Sequence, residues 1–224
     1  MDKVFVGITG ASGHAYAARL LAELAAAGRE VGLSVTAAGV KVLAHELGVR
    51  AGSDGGGLNA ALPDWLGPQV AERVRAFPTA AVEAPPSSGT SLTGGVVICP
   101  CSMGTLARIA AGFSSNLVER AADVALKEKR KLVLVPRETP LSEIHLENML
   151  KLARMGAVIL PAMPGFYHHP ENLDDAVGHV VGKILDALGI DNRAGARWDG
   201  KLEPPREAGT DPADASLERG ESGG

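Results

Sequence analysis

Lys131-Leu132-Val133-Leu134-Val135-Pro136-Arg137-Glu138-Thr139-Pro140-Leu141-Ser142-Glu143-Ile144-His145 decides the fold. The run from Lys131 to Val135 reads as a buried strand, and a helical pattern starts near Pro140. An arginine and a glutamate are therefore presented where a strand ends and a helix begins. A buried strand does not end in an ion pair merely to build a core, because charges are costly to desolvate unless they have partners or a task. In an open parallel α/β sheet, ligands bind in the crevice outside the carboxyl ends of the strands. The stretch predicts anion-binding and acid–base groups along one edge of such a sheet.

Working outward, Lys3 to Thr9 predicts a first strand, Gly10-Ala11-Ser12-Gly13 a turn, and Ala15 to Ala27 a helix stopped by Gly28. Glu30 to Thr36 reads as a strand and Val40 to Leu47 as a helix, followed by a Gly-rich loop over 51–62 and a helix over 63–76. A loop rich in hydroxyls spans Ala84 to Ser91, before a buried strand from Gly95 to Cys99. Helices are expected over 105–111, 117–130, 140–155 and 172–188, and a further strand over 157–160. Alternating strands and helices predict an α/β fold, a parallel sheet covered by helices on both faces in three layers. Residues 1–190 form one domain in this reading. From Asp191 to Gly224 the chain is rich in Gly, Pro, Asp and Glu, and is expected to be an arm or disordered tail.

The composition narrows the function. The 224 residues are 46% hydrophobic and 21% charged, with a net charge of -4, so nothing asks for nucleic acid as a partner. No apolar stretch is long enough to span a bilayer, and the N-terminus enters a strand without the regions of a signal peptide. The two cysteines, Cys99 and Cys101, are expected on one face of a strand, too close for an unstrained bridge and too few for a structural zinc site. A reducing cytoplasm is the simplest compartment.

Four further motifs carry chemistry. Gly7-Ile8-Thr9-Gly10-Ala11-Ser12-Gly13 joins the first strand to the first helix; its glycines suit a tight turn and the approach of a phosphate to helix amides, or equally a plain strand-to-helix turn. Ser12 is either a helix cap or a hydroxyl beside a ligand. Cys99-Pro100-Cys101-Ser102-Met103-Gly104-Thr105 offers hydroxyls and amides at a second helix start, with the thiols read as packing groups. The charged helix from Asn116 to Arg130 reads mainly as a solvated face, Glu119 and Asp123 included, although Arg120 and Lys127 share one side of it. Met163-Pro164-Gly165-Phe166-Tyr167-His168-His169-Pro170 follows the last strand; Tyr167 can face a ligand, and the adjacent histidines lack a third partner for a metal.

Taken together, Gly10-Ala11-Ser12-Gly13, Cys99-Pro100-Cys101-Ser102, the stretch from Asn116 to Arg130, Pro136-Arg137-Glu138, Ile144-His145-Leu146-Glu147-Asn148-Met149-Leu150 and Pro164-Gly165-Phe166-Tyr167 resemble the UbiX-type flavin prenyltransferases, from residue 3 to about residue 190. The resemblance implies a Rossmann-like, flavodoxin-like fold, bound FMN and no metal. It implies transfer of a dimethylallyl group from dimethylallyl phosphate to N5 and C6 of reduced FMN, giving prenylated FMN for UbiD-type decarboxylases. It further implies a homododecamer with active sites at subunit interfaces. By position it places Ser12 and Glu46 near flavin N5. Gly10, Ala11, Thr36, Ser88, Ser102, Thr105 and Arg120 fall on FMN, and Lys127, Arg137, Glu138, Tyr167 and Lys183 around the prenyl phosphate.

Two positions depart from the family pattern. Lys183 stands where an arginine is frequent, keeping the charge without the bidentate fork, and Val82 replaces a frequent aromatic. The alternative is an FMN-dependent cysteine decarboxylase of the phosphopantothenoylcysteine type, which asks for a catalytic histidine after the first turn, where His14 stands. A flavin-storage protein is a third reading, opposed by Arg120, Lys127, Arg137 and Glu138.

Overall fold

A computed structural model describes residues 2–197 and Gly200. Six parallel strands form one sheet: β1 (Lys3–Ile8), β2 (Glu30–Val35), β3 (Val74–Ala76), β4 (Gly95–Cys101), β5 (Leu132–Pro136) and β6 (Val158–Ile159). Their spatial order is β3-β2-β1-β4-β5-β6. This is the doubly wound Rossmann order, in which the winding reverses between β1 and β4.

Among the described residues the α-helices are α1 (His14–Ala26), α2 (Ala37–Leu47), α3 (Leu58–Leu66), α4 (Pro68–Ala71), α5 (Met103–Ala110), α6 (Leu117–Lys127), α7 (Glu143–Arg154) and α8 (Leu173–Leu188). One apolar core joins α1 and α8 to a face of the sheet through Leu20, Leu24, Val6, Val97, Val181 and Leu185. The other seats α5 and α6 on the opposite face through Phe5, Ile98, Leu106, Ala121 and Leu134. Both faces being covered explains why the central strands are apolar at nearly every position rather than alternating.

Three stretches differ from the sequence reading. The region expected as one helix over 63–76 is α3, the short α4 and then β3, which pairs Val31 with Val74 and Leu33 with Ala76. Three residues carry too little period-two pattern to announce a strand. The expected loop over 51–62 ends early, because α3 starts at Leu58. The helix expected from Pro140 starts at Glu143, where the Ser142 hydroxyl accepts from His145 N–H and the His145 ring accepts from Ser142 N–H, a reciprocal cap.

The cysteines do not share a face. The β4–β5 pairing shifts register between Ile98 and Cys101, so the alternation slips by one. Cys99 falls in the α1/α8 core and Cys101 in the α5/α6 core. Both thiols are free, and burial pushes Cys101 up to about 12 and Cys99 higher still, so neither is a nucleophile near neutrality.

The arm expected from Asp191 begins packed rather than extended. Ala194 is buried against Gly178 of α8, and Arg197 pairs with Asp186 at 2.7 Å. The remainder of that expectation, Gly200 apart, lies outside the described residues.

Candidate active site

The winding reversal leaves β1 and β4 side by side with their following helices on opposite faces, and a strand-to-helix turn stands at the carboxyl end of each. Thr9 ties the turns together. Its N–H and hydroxyl donate to Pro100 O at 3.2 and 2.8 Å, and its hydroxyl oxygen accepts from Ser102 N–H at 2.7 Å.

The first turn, Gly10 to Gly13, is shaped by close backbone approach. A Cβ on Gly10 would stand 2.7 Å from that of Ala38, and Gly13 has φ +106°. No side chain of the turn caps α1. Glu46, from the last turn of α2, does so instead: Gly13 N–H donates to its two oxygens at 3.2 and 3.0 Å, His14 N–H to one of them at 2.9 Å, and the Ser12 hydroxyl also bonds it. Burial alone would raise the Glu46 carboxyl. The bonds from Ser12, His14 and Gly13 outweigh burial and hold it below its ordinary value. A fixed carboxylate thus sits at the positive end of the α1 dipole. The Gly13 and His14 amides are thus used by the chain's own anion.

At the second turn the Ser102 hydroxyl accepts from Thr105 N–H at 3.4 Å and donates to Thr105 Oγ1 at 3.1 Å. Met103 and Gly104 open α5, so their N–H groups have no intrahelical acceptor. Arg108 Nη2 donates to Thr105 Oγ1 at 3.2 Å, while its Nε pairs with Glu119. Glu119 is fully buried rather than on a solvated face, and also accepts from Ser115 N–H and Oγ at 3.1 and 3.0 Å. Burial would raise its carboxyl; the Arg108 guanidinium and the Ser115 donors lower it by more.

The third strand end brings Arg137, whose N–H donates to Cys101 O at 3.4 Å and whose Nε donates to Ser12 O at 3.2 Å. The guanidinium therefore reaches back to the first turn. Arg137 and Glu138 do not pair with each other; Glu138 Oε1 accepts from Thr139 N–H at 3.1 Å. Thr36 caps α2 beside the turn, its hydroxyl accepting from Gly39 N–H and its N–H donating to Ile8 O.

The segment after β6 joins the same edge, with Ala162 N–H donating to Pro136 O at 2.9 Å. It carries Tyr167, whose hydroxyl meets His179 Nε2 of α8 at 3.1 Å. Lys183 stands one turn beyond His179 on that helix, exposed and close enough to act electrostatically on the imidazole. Ser12, Glu46, Gly10, Ala11, Thr36, Ser102, Thr105, Arg137, Glu138 and Tyr167 all lie on elements that meet at or flank this carboxyl edge, while Lys183 stands further down α8.

Ser88 and Lys127 are not drawn into it within one chain, whereas Arg120 stands in the first turns of α6, on the side of the carboxyl edge. Lys127 ends α6 just before β5 begins, so it lies toward the opposite edge of the sheet, where it pairs with Glu128. The 88–91 turn precedes β4 and packs its Gly89 against Glu128. A cavity of about 510 Å³ opens near there, lined by the starts of β1 to β3 and by Pro85, Pro86 and Phe77. It is remote from the acid–base groups. Arg120 pairs with Asp123 at 3.4 Å.

His14 is fully buried, with Nε2 on Thr9 O at 3.0 Å. Burial lowers its pKa against the opposing pull of Thr9 and Glu46. It is therefore a neutral structural group and not the exposed catalytic base of the decarboxylase alternative. His179, Arg108 and buried Glu119 were not legible as site residues, since each needs a partner distant in sequence. Thr9 was visible only as one letter of the glycine motif. Among the described residues, no cluster of three His, Cys, Asp or Glu could hold a metal ion.

The Flavoprotein family model matches residues 1–186. The chain is 49% identical over 197 residues to the flavin prenyltransferase UbiX of Pseudomonas aeruginosa, covering 88% of this chain and 94% of that one. It is 50% identical over 193 residues to the same enzyme of Halalkalibacterium halodurans, covering 86% and 91%. Among solved structures it resembles AnUbiX (PadA1) in complex with FMN and dimethylallyl pyrophosphate, with TM-score 0.78 and 36% identity over 89% of this chain and 98% of that one. It also resembles a dodecameric FMN-dependent UbiX-like decarboxylase from Escherichia coli O157:H7, with TM-score 0.76 and 42% identity over 89% and 100%. With that identity spread over nearly the whole domain, and with the turns, the Arg137 strand end and the Tyr167 segment assembled on one edge, the chain belongs to the flavoprotein family, among the UbiX flavin prenyltransferases.

Proposed function

We propose that this protein transfers a dimethylallyl group from dimethylallyl phosphate to reduced FMN, and that the prenylated FMN serves UbiD-type decarboxylases. One observation carries the assignment of the site. Glu46 is held as a carboxylate against Ser12, and Arg137 crosses to the same turn, so an acid–base pair and a permanent cation share the switch point of the sheet.

The residues fit FMN. The Met103 and Gly104 amides lack helical acceptors, and a Cβ on Gly104 would meet only the end of the Arg108 side chain, at 3.6 Å, so the backbone there is open to approach. Gly10, Ala11, Ser12, Thr36, Ser102 and Thr105 would hold the cofactor, and the reduced flavin supplies the nucleophilic N5 and C6 positions. Around it, Arg137 stabilises the charge growing on the departing phosphate through a charge-assisted bond. Ser12 is oriented by Glu46, which accepts its hydrogen and can receive a proton through it. Glu138 is placed to exchange a proton with the phosphate. Tyr167 offers a phenol and an aromatic face to the donor, and Lys183 a second cation.

Arg120, in the first turns of α6, would serve the FMN side within its own chain, while Lys127 and Ser88 enter this reading from a neighbouring copy. These two lie away from their own chain's crevice, and a dodecamer of this chain would let them complete the site of the next subunit. The titre that tests the assignment is a mass measurement. Incubation without oxygen with reduced FMN and dimethylallyl phosphate should add one five-carbon unit to the flavin. Unchanged flavin with FMN bound would overturn the reading.

A further inference from the structure

We propose that His179 is a positioning residue for donor binding: its neutral imidazole, protonated on Nε2, holds the Gly165–Tyr167 segment on α8 and fixes the hydrogen-bonding direction of the Tyr167 phenol. The proposal rests on the prenyl-transfer reading above.

The tautomer follows from the partners. Gly165 N–H can only donate, and it meets His179 Nδ1 at 3.0 Å, so Nδ1 is the acceptor. A neutral imidazole then carries its hydrogen on Nε2 and donates it to the Tyr167 oxygen at 3.1 Å. Tyr167 accepts on the side of the ring, so its own hydrogen is directed away from His179. An imidazolium would present Nδ1–H to Gly165 N–H, two donors facing each other, and the segment would lose its anchor.

The surroundings enforce the neutral form. The His168 ring stacks on His179 with centroids 5.0 Å apart and planes at 24°, and Tyr167 meets it edge-on at 5.5 Å. Lys183 follows one turn along α8. On the preceding turn Asp175 accepts from Glu171 N–H, and Asp174 is held by Arg19 of α1. Behind the helix, Gly195 packs on the His179 backbone, while Arg197 of that segment is held by Asp186. Burial first, and then the positive tendency of His168 and Lys183, lower the His179 pKa. The fit is close: a Cβ on Gly165 would stand 2.9 Å from the Tyr167 ring and 3.2 Å from His179 Cε1.

Two measurements test it. Nitrogen-15 spectra of histidine-labelled wild-type protein at neutral pH should show His179 protonated on Nε2 alone; hydrogen on Nδ1 overturns the proposal. Anaerobic kinetics with dimethylallyl phosphate should then compare wild type, His179→Phe and His179→Gln between pH 5 and 8. His179→Phe should raise KM for the donor about 5- to 10-fold, the range of one lost hydrogen bond, with a smaller change in kcat and FMN affinity. It should also lose part of the acidic fall in kcat/KM. His179→Gln, which keeps a polar group near Tyr167, should recover part of the KM. Titration of the donor phosphate is common to all three proteins, so the difference between them reports the loss of the His179 imidazole. Equal KM and an unaltered acidic limb in His179→Phe overturn the proposal. A wild type that binds FMN but never prenylates it overturns the prenyl-transfer reading instead, and the nitrogen-15 spectrum still decides whether His179 anchors the segment.

Discussion

The turn after β1 and the turn after β4 look alike in sequence, each a strand end followed by small and hydroxyl residues and a helix, yet they are finished in opposite ways. At the first, the amides of Gly13 and His14 are consumed by Glu46, so the dipole of α1 is spent on a carboxylate of the same chain. At the second, Ser102 and Thr105 satisfy each other while the Met103 and Gly104 amides are left without helical acceptors. One turn is closed by a carboxylate of its own chain, and the other leaves two helix amides open. Glycine and serine content does not separate the two; Glu46, 33 positions after Gly13, does.

The largest test of that contrast is at Glu46. Glu46→Gln keeps an acceptor for Gly13 and His14 and removes the charge. If the carboxylate works with Ser12 on a proton, prenylated FMN should form about 100-fold more slowly while FMN still binds, as single-turnover mass spectrometry would show. A rate within a few-fold of wild type reduces Glu46 to a helix cap and erases the difference between the turns.

A smaller effect is expected at the open turn. Ser102→Ala removes a helix cap and a hydroxyl from the cradle. It should weaken FMN binding about 10-fold, near 1.4 kcal/mol, and cost about 1 kcal/mol of stability. Flavin fluorescence titration and thermal melting read these separately. Unchanged affinity together with lost stability would mean that Ser102 only caps α5 and that the flavin sits elsewhere on this edge.

What the sequence made legible follows the range of the interactions. The strand ending at Pro136 and the Ala-rich first helix were visible because burial on both faces and helical periodicity are local signals. The edge strand Val74–Ala76 was not, since three residues give no usable alternation. The slip that sends Cys99 and Cys101 to opposite cores depends on the pairing of β4 with β5, which no local pattern encodes. Resemblance supplied Ser12, Glu46 and Arg137 at the site, but only the fold explains why Glu46 is ionised. The Arg108–Glu119 pair escaped altogether: within its own helix Glu119 looks like one more surface charge, and it is the neighbouring helix that buries it.

The smallest expected effect concerns the sealed turn as a piece of structure. His14 is buried, its Nε2 hydrogen is given to Thr9 O, and its folded pKa lies below the ordinary 6.5. In the unfolded chain the same ring takes up a proton as pH falls through about 6.5, and in the folded chain it resists doing so. The unfolded state therefore binds more protons in that window, and stability must decline as pH drops from neutrality toward the lowered folded pKa. Above the unfolded value the contribution is complete. One such proton gives a slope of at most about 1.4 kcal/mol per pH unit. Glu46 acts later on the same descent, because its folded carboxyl is held below the ordinary value and its contribution is lost only as pH falls through the carboxylate range. His14→Gln can still donate to Thr9 O without titrating. Its urea unfolding free energy should depend less on pH between 7 and 5 than that of wild type, while below pH 4.5 the two curves should fall in parallel through Glu46. Identical slopes between pH 7 and 5 would mean that His14 takes up its proton in the folded turn, and that the turn is less sealed than its hydrogen bonds make it.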